Sequence, residues 1–205
     1  MSELISGKDS LIYGVGVNDF DGNISINGKH IPEYSLWKAM LRRCYSEKFK
    51  HTRNTYNNCI ISAEFMSFKN FHDIVKDTYG FGLIDKNGKK YHLDKDLLGE
   101  GYLYSKDTIC FVPSEINAFL TNDKSVNNGY PVGVSYHKAS GKIISQITKN
   151  GKRKYLGLFN EVESAFEAYK DAKEAHSKFL AEKYRLSISE TVYHALMSYA
   201  VEEYF

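Results

Sequence analysis

Residues 130–184 read YPVGVSYHKASGKIISQITKNGKRKYLGLFNEVESAFEAYKDAKEAHSKFLAEKY. Three short alternating runs come first, separated by turn signals, and one long amphipathic run follows. Alternation at period two predicts strands, and the later spacing predicts a helix. Val132, Val134 and Tyr136 oppose Gly133, Ser135 and His137. Ile143, Ser145 and Ile147 oppose Ile144, Gln146 and Thr148, and Lys154 and Leu156 oppose Arg153 and Tyr155. One face is more polar, with Ser135, His137, Gln146, Thr148, Arg153 and Tyr155. The other carries Val134, Ile147 and Leu156 toward a helical stripe of Val162, Ala165, Phe166, Tyr169 and Ala172. Asn160 with Glu163 three residues on approximates a capping box at the start of that helix. The expectation is a three-stranded antiparallel sheet with a helix on its apolar side.

Charge distribution singles out the same stretch. The formal net charge is only +2. Residues 124–185, however, hold 12 Lys or Arg against 6 Asp or Glu, whereas residues 1–123 hold 15 against 16 and residues 186–205 none against 3. A local basic patch is the footprint expected of a phosphate-binding module. Lys138, Lys142, Lys149, Lys152 and Lys154 fall at strand ends and turns and suit phosphate contacts. Lys170, Lys173, Lys178 and Lys183 read as a solvated helix face.

A chain of 205 residues, 42% hydrophobic and 14% aromatic, can bury a core readily. No run of eighteen apolar residues and no basic-then-apolar leader appears, so a cytoplasmic protein with no membrane partner is expected. Three widely spaced cysteines, Cys44, Cys59 and Cys110, argue against a disulfide framework and for buried free thiols in a reducing compartment. They form no CxxC pair and match no common structural zinc spacing.

Ahead of the basic stretch, residues 11–28 predict a Gly-loosened hairpin with Asp21-Gly22 as its turn. SLWKAMLRRCY (35–45) predicts a helix capped by Ser35, burying Trp37, Met40, Leu41 and Cys44. A second helix is expected from Ser62 or Ala63 to Val75, with Phe65, Phe68, Phe71 and Val75 as core and His72 packed beside them. A strand near 91–97, a Gly99/Gly101 turn, a strand near 109–112 and a helix opened by Pro113 then follow. Residues 122–129, NDKSVNNG, are a polar linker. Ile188, Val192, Ala195, Leu196 and Tyr199 share a helical face in a last segment, 187–205, able to dock on the module or on a second copy of the chain in a homodimer.

The landmarks LWKAMLRRCY, EFMSFKNF, LDKD, YSKDTICFVP and EIN make the first 120 residues resemble phage-encoded HNH-type proteins. That resemblance implies a ββα unit holding Mg²⁺ or another divalent metal. Asp94 matches the strand ligand and Asn117 the helical ligand. The general-base position holds Lys95 instead of His. A lysine is ordinarily protonated at neutral pH and is a poor base. His92, two residues earlier on the same strand face, is either a substitute base or a strand histidine.

The residues Gly133-Val134, Gly141-Lys142, Tyr155 to Gly157, Phe159, Ala165 and Ala168-Tyr169 make the opening stretch resemble the AP2 DNA-binding domain. That family lays the polar face of its sheet in the DNA major groove. Of the family's arginines only Arg153 has a counterpart. Tyr155 stands where a Trp is usual, and Ser135, His137 and Thr148 replace Arg. Gln146 and Arg153 are the base-reading candidates, since both can bond base edges bidentately.

The expected architecture is therefore α+β: an HNH-like domain over 1–123, an AP2-like domain over 130–184 and a C-terminal helix over 187–205. The expected activity is double-stranded DNA binding in a phage protein acting in the bacterial host cytoplasm. The alternatives are an active, metal-dependent endonuclease of the homing type, and a non-catalytic factor that binds another protein in host takeover or anti-defence.

Overall fold

Alternation and helical spacing produce stable elements only where a long-range partner covers the apolar side. The computed structural model describes residues 11–121, 129–149 and 151–202. Its elements in chain order are β1 (Ser25–Ile26), β2 (Lys29–His30), α1 (Pro32–Tyr45), α2 (Glu47–Thr52), β3 (Ile60–Ile61), α3 (Phe68–Asp77), β4 (His92–Asp94), β5 (Leu103–Tyr104), β6 (Cys110–Val112), α4 (Ser114–Thr121), β7 (Val134–His137), β8 (Lys142–Lys149), β9 (Lys152–Phe159), α5 (Val162–Lys183) and α6 (Glu190–Met197). This is a mixed α and β chain containing a three-stranded antiparallel sheet. Among the described residues, no helix is long and apolar enough to cross a membrane.

Two compact units partition these elements. One holds the described chain up to Phe81 together with Leu93–Phe111; the other holds Gly82–His92 and the chain from Val112 onward. Residues 122–128, most of the expected linker, lie outside the described residues.

In the first unit the aromatic stripe is core, as its spacing predicts. Trp37, Met40, Leu41, Cys44, Phe65, Phe68, Phe71 and Val75 are all fully buried. Each such side chain contributes on the order of 1.5–3 kcal/mol by leaving water. The indole Nε1 of Trp37 donates to the Phe65 carbonyl at 2.7 Å, so its polar atom is satisfied inside that core. Element starts differ from expectation. α1 opens at Pro32, whose fixed φ suits a first helical turn, and Ser35 does not cap it. Residues Ala63–Met66 form a separate 3-10 turn, and α3 begins after Ser67, whose Oγ accepts the Asn70 N–H at 3.1 Å. The hairpin is β1–β2, and it turns at Asn27-Gly28, both at positive φ, not at Asp21-Gly22. Gly16 of the GVGV run packs directly on α1. A Cβ there would fall 2.5 Å from Leu41 and 2.9 Å from Trp37.

Strand, strand and helix follow one another as expected in β4, β6 and α4, and β4 pairs with β6. The strand expected over 91–97 is shorter, because a turn begins at Asp94. Between β4 and β6 runs β5, a strand the alternation does not announce; it pairs in parallel with β3.

In the second unit β7, β8 and β9 form one antiparallel sheet in that order. Its apolar side packs on α5 through Val134, Ile143, Ile147, Ala165, Phe166 and Tyr169. The helix stripe read from spacing is thus the one that is buried. The expected Asn160 cap is absent: Glu161 occupies the N-cap position and its side chain makes no capping bond. Beyond Tyr169 the long α5 serves two further helices. The Ser177 hydroxyl donates to the Leu196 carbonyl of α6 at 2.8 Å, and the Lys173 ammonium donates to the Phe119 carbonyl in the last turn of α4 at 2.7 Å. Lys173 is 3% exposed, so it is a buried helix-end cap and not one of a solvated lysine row.

Candidate nucleic-acid interface

Strand register decides which side chains share a face of the sheet. Ser135 pairs with Ile144 and His137 with Lys142; on the other side of β8, Ile144 pairs with Leu158, Gln146 with Tyr155 and Thr148 with Arg153. Directly paired residues project to the same side. The face away from α5 therefore carries Ser135, His137, Gln146, Thr148, Arg153 and Tyr155 together, as alternation predicts, and the register adds Lys142 beside His137. Thr148, Arg153 and Tyr155 are exposed, whereas Ser135, His137 and Gln146 are half-buried. An apolar strip runs through the same face, with Ile144 and Leu158 beside Tyr155, which is 61% exposed.

A β-bulge at Ser145/Gln146 shapes this face. Ser145 pairs with Gly157, but Gln146 pairs with Tyr155, so Leu156 is the extra residue. The bulge changes the phase of β9. Leu156 and Phe159 both pack toward the α5 core, while Tyr155 and Arg153 remain on the open face.

The basic residues are divided by the same register. Lys142 and Arg153 belong to the open face, and Lys138 lies in the exposed turn after β7. Lys154 pairs with Ile147, and Lys149 pairs with Lys152. These three therefore project to the α5 side, at the end of the sheet bearing the β8–β9 turn. His137 is tied into the β7–β8 turn, with Nδ1 2.8 Å from the Ser140 hydroxyl.

The residues singled out as metal ligands and base in the sequence fall in both units: Asp94 and Lys95 in the first, His92 and Asn117 in the second. Asp94 Oδ1 accepts the N–H groups of Asp96 at 3.0 Å and Leu97 at 2.9 Å, which makes this carboxylate the cap of a turn. Burial raises its carboxyl above the usual range, and neighbouring Asp96 adds to that rise. The buried Lys95 ammonium donates to the Asp96 carboxylate and to the Gly101 carbonyl, and it lies 5.5 Å from the centre of the Tyr104 ring. As an ammonium it has no lone pair to offer a water. His92 Nε2 lies 3.2 Å from the Ser114 hydroxyl. The Asn117 backbone N–H donates to the Pro113 carbonyl, closing the first turn of α4. A hard divalent cation takes six or more oxygen ligands. Here the Asp94 carboxylate is already committed to a turn, and a lysine adjoins it in sequence. Among the described residues no three His, Cys, Asp or Glu side chains gather as a metal-holding group. Cys44, Cys59 and Cys110 are free and buried; burial pushes the Cys44 thiol up to about 12.

The sequence reads as a Gly/Asp/Asn/Lys loop over 81–90, with no sign that the stretch Gly82–His92 folds with the sheet's unit. Its Lys86, Lys89 and Lys90 are displayed on a tight turn. Asp85 Oδ1 accepts the N–H groups of Asn87 at 2.8 Å and Lys89 at 3.0 Å, and Ile84 bridges Lys90. The available signal was Asp-Lys-Asn-Gly, a strong turn sequence that contains Lys86 and is followed by Lys89 and Lys90.

No family model, no curated protein and no solved structure matches this chain.

Proposed function

We propose that this chain binds double-stranded DNA through the open face of the β7–β9 sheet and does not cut it. The observation that carries the reading is the register. It puts Gln146 beside Tyr155 and Thr148 beside Arg153, with Lys142 and His137 on the same face. A two- or three-stranded ribbon is narrow enough for the major groove, where Arg reads guanine and Gln reads adenine. Lys138 and Lys142 lie at the β7–β8 end and suit the flanking phosphates. Ile144 and Leu158, paired on the same face, suit contacts with thymine methyl groups. In this reading Asp94 and Lys95 are structural, and the HNH-like part is a scaffold.

The Ile144, Leu158 and Tyr155 strip favours one second reading, a protein partner on the same face. A salt series separates the two. Gel shifts of the full chain on duplex DNA between 50 and 200 mM salt (roughly the span over which phosphate contacts weaken) should show affinity falling steeply. Retention of a protein partner with no salt-dependent DNA binding would sink the DNA reading.

A further inference from the structure

A second basic surface lies on the other side of the β8–β9 turn. A groove there is lined by Lys86 and Lys89 of the 84–90 turn, Glu115 of α4, Thr148 and Gly151 of the hairpin, and Lys183 of α5. All of these residues belong to one compact unit. Its acid is paired through one oxygen: Glu115 Oε2 accepts from the Lys183 ammonium at 2.5 Å and from the Tyr184 hydroxyl at 2.7 Å. Burial alone would push that carboxyl up, but the bonds from Lys183 and Tyr184 outweigh it and hold it below the usual range, so it stays a paired anion. His176, which also lines the groove, is held neutral by burial and by nearby Lys149. Lys86 acts on Glu115 only through space, without a hydrogen bond to it among the described residues, and Lys86 and Lys89 are both exposed. Register sends Lys149, Lys152 and Lys154 to this same side of the sheet.

From this we infer that the groove is a phosphate-binding arm for the backbone of the DNA held by the open face. The inference rests on the DNA-binding reading above. Thr148 borders both surfaces, since it lies on the open face with Arg153 and also lines the groove. A duplex strand leaving the open face past the β8–β9 turn would have Lys149 and Lys152 of the hairpin and Lys86 and Lys89 of the groove to meet. The 84–90 turn is built to present its lysines. The Asp85 carboxylate bonds its backbone, Gly88 supplies a φ of +75°, and the Tyr91 hydroxyl donates to the Ser187 carbonyl at 2.9 Å. A pre-ordered arm loses little entropy on binding. Phosphate contacts of this kind add affinity without sequence preference.

The test compares the full-length chain with Lys86→Ala/Lys89→Ala and with Arg153→Ala on one duplex of about 30 base pairs, long enough to reach both surfaces at roughly 3.4 Å per base pair. Both lysines are exposed, so the double variant should keep the wild-type melting temperature. The expected result is roughly tenfold weaker binding at low salt, equal on all sequences, with the slope of log K against log salt shallower by about 1–2. If the double variant binds with wild-type affinity and slope while Arg153→Ala weakens, the arm is overturned and the open-face reading stands. If the wild-type chain binds no duplex at any salt, both fall.

Discussion

Gly133 lies flat against the ring of Tyr169: a Cβ built on Gly133 would come 2.0 Å from the ring carbon Cδ2. Gly133 also has a φ of +80°, a conformation that side chains resist. Sheet and helix thus approach closely because this position has no side chain. Gly133→Ala should cost about 2–5 kcal/mol, from backbone strain plus overpacking. Gly88 has a φ of +75° but no neighbour within 4 Å of a built Cβ. Gly88→Ala should therefore cost only about 1 kcal/mol. Urea denaturation of both variants measures the difference, and equal losses would refute the ring contact as the cause.

Arg153 shares its pair with Thr148 on the open face. If it reads a base, Arg153→Ala should lose about 1–3 kcal/mol on the preferred sequence and little on random DNA. Lys142→Ala should weaken every duplex alike and make the salt slope shallower by about 0.9. A uniform loss for Arg153→Ala would reassign it to a phosphate.

Lys95 is a buried cation held between the Asp96 carboxylate and the Gly101 carbonyl. Replacement by Met leaves both acceptors without that donor and should cost about 3 kcal/mol in chemical denaturation. Supercoiled plasmid incubated with the wild-type protein and Mg²⁺ or Mn²⁺ should stay intact. Nicking that disappears in Asp94→Ala would overturn the non-cutting reading.

His176 stacks on Phe179 and meets Phe119 edge-on. Burial first, and then Lys149, lower its pKa from 6.5 to about 4. Glu115 opposes that shift, while Lys173 and Lys183 reinforce it. Between those values the unfolded chain binds the proton and the folded chain does not. The contribution of neutral His176 is therefore fully present above about pH 6.5 and is lost as pH falls toward 4, by about 1–2 kcal/mol after solvent screening. His176→Phe should flatten that part of the stability profile, as read by melting temperature from pH 4 to 7.

Much of this molecule was legible in local spacing. Period two in residues 132–156 and the 3.6-residue stripe from Val162 to Ala172 specified a sheet on a helix, because each pattern leaves only one side fit for burial. The aromatic stripe of Phe65, Phe68, Phe71 and Val75 specified core for the same reason. The open-face set from Ser135 to Tyr155 followed from alternation alone. Helix starts were less legible. Pro32 opens α1 where Ser35 was expected to cap, and packing starts α5 without Asn160, since a cap is worth about 1 kcal/mol and burial of a whole face is worth more.

Only the tertiary structure decided the rest. Lys173 looks like any surface lysine until the Phe119 carbonyl, 54 residues away, is brought to its ammonium. Lys86 and Lys89 precede the sheet by some fifty residues in sequence, yet fold into its unit. The bulge at Ser145/Gln146 lets Leu156 and Phe159 both reach the core, while the pairing of Lys149 with Lys152 at the hairpin end sets Lys154 opposite Ile147. Sequence alone determined that residues 130–184 form a basic sheet on a helix, because periodicity and charge are local properties of a chain. Which lysines stand on which side of that sheet was settled by register and long-range packing, because these depend on residues far apart in sequence meeting in space.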